Sequence, residues 1–169
     1  AGQTIVNPNG IGGNSGYYNL IFSGSGIKTM PTSNMKINGN LTLSGTSTVT
    51  AASALTIGGN LNIAEASTFN TGNFDHTIGG NFENNGSFTA AMGKTITMNG
   101  ELPQWIGGST SVSFGNFTIN NMSGVTIYTS VIINNNLTLT NGNLGVGPTL
   151  KEFEKYTAKR NREIVSGKI

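Results

Sequence analysis

The chain has 169 residues, only 9 % of them charged, 25 glycines and no cysteine. The missing cysteines exclude a disulfide framework and a thiolate metal site, and a charged fraction far below the roughly 25 % usual in soluble proteins leaves amides and hydroxyls to hold the chain in water. The formal charge of +2 belongs to the end: residues 1–149 hold Lys28, Lys36 and Lys94 against Glu65, Asp75, Glu83 and Glu101, whereas residues 150–169 hold Lys151, Lys155, Lys159, Arg160, Arg162 and Lys168 against Glu152, Glu154 and Glu163.

The body therefore lacks the basic stripe that neutralises phosphates, which argues against nucleic acid as a partner. No apolar run approaches the roughly 18 residues of a membrane span. Ala1-Gly2-Gln3-Thr4 shows neither the charged nor the apolar region of a signal peptide, as expected of a mature exported chain or of a trimmed piece.

From residue 37 one phrase is written four times: Ile37-Asn38-Gly39-Asn40-Leu41, Ile57-Gly58-Gly59-Asn60-Leu61, Ile78-Gly79-Gly80-Asn81-Phe82 and Met98-Asn99-Gly100-Glu101-Leu102. A period of about 20 residues signals stacked supersecondary units, none of which buries its apolar side alone. Apolar residues alternate within each phrase, as in Leu55, Ile57, Leu61 and Ile63, with Gly59 on the inward parity. A missing side chain there implies a bend or a close backbone approach. Val49, Phe69 and Phe88 mark a second register about ten residues on, so the reading is two short strands per coil.

Stacking predicts one internal ladder of Ile37, Ile57, Ile78 and Met98 and another of Leu41, Leu61, Phe82 and Leu102. At about 4.8 Å per coil, roughly seven coils make a rod of about 30–35 Å. Asn40, Asn60 and Asn81 either hydrogen-bond along the axis or simply tolerate turn geometry.

A longer echo follows. The stretch from Asn19-Leu20-Ile21-Phe22 to Leu41-Thr42-Leu43 is rewritten from Asn116-Phe117-Thr118-Ile119 to Leu137-Thr138-Leu139. Phe114 to Leu144, FGNFTINNMSGVTIYTSVIINNNLTLTNGNL, resembles the Gly/Asn/Thr-rich repeats of large secreted surface proteins of the Bacteroidota type. The resemblance covers about residues 15–147 and implies a β-helical stalk or adhesin-like region at a bacterial cell surface. Such proteins are typically far longer and end in a β-rich secretion-sorting domain, which the end of this chain does not resemble.

After Pro148 the pattern changes. Thr149-Leu150-Lys151-Glu152 reads as a capping box, and Leu150, Phe153, Tyr156 and Ile164 give the following helix an apolar side. This helix caps the solenoid end, contacts a partner through Phe153 and Tyr156, or is an independent appendage.

Catalytic chemistry finds little to work with. Glycoside hydrolysis needs two carboxylates about 5–9.5 Å apart, yet Asp75 and Glu83 occupy different places in the repeat. Lyase chemistry needs clustered acids and a base, and residues 1–149 contain no arginine. His76, the single histidine, aligns with Leu55 and Ile96 and reads as a coil-lining side chain, without a catalytic or metal role. Glycine-rich Ile57-Gly58-Gly59-Asn60 and Ile106-Gly107-Gly108-Ser109 precede strands, so neither is a phosphate loop. Trp105, between Gln104 and Ile106, is a candidate sugar-stacking platform or a partly buried corner aromatic. Thr46, Thr48 and Thr50 resemble an ice-binding row, but the next copies carry Thr68 with Asn70 and Ser87 with Thr89.

The expected fold is all-β: a parallel β-solenoid over residues 1–149 with about 20-residue coils, followed by an amphipathic helical tail over 150–169. The expected role is a non-enzymatic extracellular structural or adhesive element, a stalk or filament subunit. It needs no cofactor or metal and partners itself head to tail, other surface proteins or glycans. The alternatives are a carbohydrate-binding module, then a polysaccharide lyase or hydrolase, or an ice-binding protein.

Overall fold

A computed structural model describes residues 2–6 and 16–148. They wind into about six turns of a parallel β-solenoid whose cross-section has three faces. The first face stacks seven strands: Leu20–Phe22, Leu41–Leu43, Leu61–Ile63, Phe82–Asn84, Gln104–Gly107, Val125–Ile127 and Leu144–Val146. The second stacks five, Gln3–Thr4, Ser25–Thr29, Thr46–Thr50, Thr68–Asn70 and Ser87–Thr89, and is continued by the pair Val112–Phe114 and Val131–Ile133. The third stacks six: Met35–Ile37, Leu55–Ile57, His76–Ile78, Thr95–Met98, Asn116–Asn120 and Leu137–Asn141.

Each strand is only a few residues long because a coil must turn three times, and alternation within it decides what is inside. Leu41–Leu43, Leu61–Ile63 and Phe82–Asn84 all bury their first and third residues and turn the middle one outward. Parallel pairing then places like on like. Ile37, Ile57, Ile78 and Met98 form one internal ladder, which continues to Ile119 and Leu139. Val49, Phe69 and Phe88 form another. Toward the C-terminal half aromatic rings fill the interior, with Phe114 and Phe117 stacked at 4.7 Å and Phe82 edge-on to Phe88 at 4.9 Å.

Three expectations change, and the long echo is found to be offset. A coil contains three strands instead of two, because the glycine-bearing middle of the first three phrases (Asn38-Gly39-Asn40, Gly58-Gly59-Asn60 and Gly79-Gly80-Asn81) is a corner between the third face and the first and not the middle of one strand. The average step is about 21 residues, and paired residues range from Val125↔Leu144 at the short extreme to Gln3↔Lys28 at the long one, with the insertion lengthening the step from Phe82 to Ile106. Leu102 is not in the internal ladder. It is 77 % exposed, and Ile106 stands over Phe82 in its place, because residues 99–103 leave the coil as an insertion. The long echo is displaced by one face, since Leu20–Phe22 lies on the first face and its counterpart Phe117–Ile119 on the third.

The second face breaks where the insertion shifts the coil. Ser87–Thr89 does not pair with Val112–Phe114 as a ladder, although Phe88 and Phe114 touch across the break with ring centroids 5.8 Å apart. Asn84, fully buried, bridges it by donating Nδ2 to the Ser111 carbonyl at 3.2 Å. The expected C-terminal helix, with Phe153 and Tyr156, lies outside the described residues.

Candidate functional site

The corner between the third and first faces is the most regular part of the molecule. Successive backbones approach so closely there that a Cβ on Gly58 would strike the Asn38 carbonyl, and one on Gly79 the Gly58 carbonyl. The asparagine that closes each corner bonds along the axis. Asn19 Oδ1 accepts from the Asn40 backbone N–H, Asn40 Oδ1 from Asn60, and Asn60 Oδ1 from Asn81, each at 2.8 Å. One carbonyl oxygen per amide is thus committed to the neighbouring coil. The Nδ2 groups of Asn40, Asn60 and Asn81 make no bond within the described residues, and all three side chains are half-buried.

The insertion 99–103 overhangs this corner stack, and a buried glutamine holds it. Gln104, 3 % exposed, donates Nε2 to the Ile78 carbonyl at 3.0 Å and to the Gly80 carbonyl. Its Oε1 accepts from the Gly100 backbone N–H and from Asn121 Nδ2, both at 2.9 Å. Asn121 in turn donates Nδ2 to the Leu102 carbonyl at 2.7 Å, and Ser123 donates Oγ to the Glu101 carbonyl at 2.9 Å. A polar cluster so fully bonded fixes a loop instead of loosening it. Between overhang and stack lies a groove of about 530 Å³, lined by Thr56, Gly58, Asn60, Asn81, Glu101 and Leu102 among others.

Trp105 takes the next place in the asparagine column. Its backbone N–H donates to Asn81 Oδ1 at 3.0 Å, and it pairs with Thr126 in the following coil. The half-buried indole faces outward and lies along its own strand over Gly107, whose added Cβ would stand 3.1 Å from Cζ3. Tyr128 follows Gly107 in the adjoining column and lies over Gly147, with 48 % of its surface exposed. Two aromatic rings laid over glycines thus share the outer side of the first face.

The other expected residues fall elsewhere. His76 lines the coil as its alignment implied, paired with Leu55 and Ile96 and 3 % exposed. Its Nδ1 accepts from the Leu55 N–H at 3.1 Å and its Nε2 donates to the Thr71 carbonyl at 2.8 Å, which selects the neutral Nε2-protonated ring. Burial pushes its pKa below the ordinary 6.5, against smaller upward pulls from the Thr71 carbonyl and the Asp75 charge. Asp75 caps a strand, its Oδ1 accepting from the Thr95 N–H at 2.7 Å, while Glu83 points outward on the first face. Among the described residues no three His, Cys, Asp or Glu side chains converge as a metal site requires, and no helix is long and apolar enough to cross a membrane.

Several residues carried no sequence signal of their own. Gln104 and Asn121 could have been suspected from the lengthened step between Met98 and Ile106, whereas nothing marked Tyr128. An unbroken threonine column, Thr56, Thr77, Thr97, Thr118 and Thr138, runs up the third face. It is single, because the column beside it mixes Thr95 with Asn116. No family model matches the chain, and no curated protein or solved structure shows significant similarity to it. The likeness to Bacteroidota-type surface repeats therefore rests on composition and spacing alone.

Proposed function

We propose that this chain is a non-enzymatic structural and adhesive rod of a bacterial cell surface, serving as a stalk segment or a filament subunit outside the cell. The observation that supports this reading is the stacking itself. Six intervals in the seven-stranded face give a rod of about 29 Å, and no described strand pairs with the outer edge of Leu144–Val146 or Leu137–Asn141. A parallel edge is a template for another strand, and one end placed on the other makes a heterologous contact that propagates. Half-exposed Ile132 and Val146 lie at that end.

Electron microscopy of the purified full chain tests the reading, together with protease accessibility on intact cells that express it. The expected result is filaments thickening in number with concentration and cleavage from outside the cell. Particles that stay single at every concentration, in a chain protected inside intact cells, would overturn it.

A further inference from the structure

We propose that the strip running up the rod from Asn40 through Asn60 and Asn81 to Trp105 and Tyr128 binds a linear, uncharged polysaccharide laid parallel to the rod axis. The proposal deepens the adhesive half of the reading above by naming what is gripped.

The strip has the direction a polymer needs. Its members occupy successive coils of one column, each about 4.8 Å beyond the last, and Tyr128 stands diagonally beyond Trp105 at roughly 7–8 Å, the spacing of residues j and j+2 across paired strands. Asn60 and Asn81 reappear in the lining of the adjacent groove, so the column forms one wall of a channel and the overhang with Leu102 the other.

The chemistry is that of sugar recognition. Each asparagine uses Oδ1 within the protein, at 2.8 Å for Asn40 and Asn60 and 3.0 Å for Asn81, which fixes the plane of the amide. Its Nδ2 keeps two donors that no described residue takes. Donors already held in place lose little freedom on binding, and their complement is an acceptor repeated along a chain, which the hydroxyl oxygens of a polysaccharide supply. The carbon-bound hydrogens of a pyranose face need a flat apolar surface, and the indole over Gly107 with the phenol ring over Gly147 provides one.

Charge decides the class of sugar. The charged side chains bordering the groove and the stretch from Asn60 to Trp105 are Glu83 and Glu101, both acidic, and the one cation near them among the described residues, Lys36, sits one coil below Thr56 at the far end of the strip from the indole. The two carboxylates accept hydrogen bonds from hydroxyls and repel uronates and sulfated chains. Glu83 is also oriented for this, since Asn85 Nδ2 donates to its Oε1 at 2.9 Å.

Trp105 is the single tryptophan, so its fluorescence reports on the strip directly. The full chain is titrated with cello-, manno- and chito-oligosaccharides of increasing length and with oligogalacturonate, with calorimetry for variants that lack the indole. At least one neutral series is expected to shift the emission saturably, to bind more tightly with length, and to be indifferent to salt. Trp105→Ala and Tyr128→Ala should each weaken binding by about tenfold or more. Asn81→Asp keeps an oxygen that accepts from the Trp105 backbone and exchanges the two donors for an anionic acceptor, so it should weaken binding severalfold with a melting temperature little changed. No response to any neutral series, a response to oligogalacturonate alone, or undiminished binding by Trp105→Ala would overturn the proposal. Intact filaments that ignore every sugar would sink this proposal and leave the rod standing, while sugar binding by chains that never assemble would sink the filament and leave the strip.

Discussion

Replacing Gln104 by leucine keeps the bulk of a buried side chain while removing four hydrogen bonds at once. Their partners do not suffer equally. The Ile78 carbonyl still accepts from Asn99 N–H at 3.0 Å, and Asn121 Nδ2 still reaches the Leu102 carbonyl at 2.7 Å. Gly100 N–H and the Gly80 carbonyl lose the bonds that Gln104 makes to them. A buried polar group left unpaired costs about 1–3 kcal/mol, so two cost about 2–6, and the gain from burying leucine in place of an amide offsets about 1–2 of that. The difference leaves a net loss of roughly 1–4 kcal/mol. It should be local, because each coil of a solenoid leans mainly on its neighbours: amide exchange at residues 99–103 should quicken before the urea midpoint of the whole rod moves. A Gln104→Leu chain with wild-type exchange at Gly100 and a stability within about 0.5 kcal/mol of the parent would show that the cluster does not hold the overhang.

Leu61 is 1 % exposed between Leu41 and Phe82, so Leu61→Asp should cost several kcal/mol through an unpaired buried carboxylate; an unaltered circular-dichroism melt would refute the stacking register. His76 takes up a proton less readily folded than unfolded, since burial lowers its pKa below 6.5. The stability of its neutral ring is therefore complete above pH 6.5 and declines as pH falls toward the folded pKa. Denaturant midpoints measured against pH should drop more steeply for the wild type than for His76→Gln, and parallel profiles would remove the effect. Ala66 sits at φ 61° in the third position of a turn closed by Ser67 N–H to the Ala64 carbonyl, where an L-residue pays about 1 kcal/mol of strain. Ala66→Gly should raise the midpoint modestly, against the usual sign of such a change, and a lowered midpoint would contradict the strain.

The internal ladders were legible because two periods coincide, alternation along a strand and repetition between coils, and together they place Ile37 under Ile57 and Val49 under Phe69 without further information. The third strand was hidden by parity. Between Ile57 and Leu61 the corner spends three residues, so inward positions stay odd on both sides and a bend reads like a straight strand. Leu102 misled for a related reason: the fourth phrase keeps its spelling from Met98 onward, but the chain leaves the coil at Asn99 and re-enters at Gln104, and only pairing shows which apolar residue returns to the ladder. His76 was placed correctly from its column, whereas Gln104, Asn121 and Tyr128 occur once each in their roles and have no column to betray them.

That contrast bears on where function sits in a repeat. A residue repeated in every coil answers first to stacking, and Asn40, Asn60 and Asn81 show this in the oxygen each gives to its neighbour. The same repetition fixes their unused nitrogens in a row, which no isolated turn could do, so a ligand that reads the row must itself be periodic. The departures from the repeat then say where along the rod such a ligand would be held most firmly. They cluster between Asn99 and Gly108, where the insertion raises a wall, the buried glutamine fixes it and an indole replaces an amide. At the same level the second face is interrupted between Ser87–Thr89 and Val112–Phe114. A stack that carries an insertion, a buried glutamine and an indole at the level where one of its sheets is interrupted departs there from the consistency that stacking alone favours.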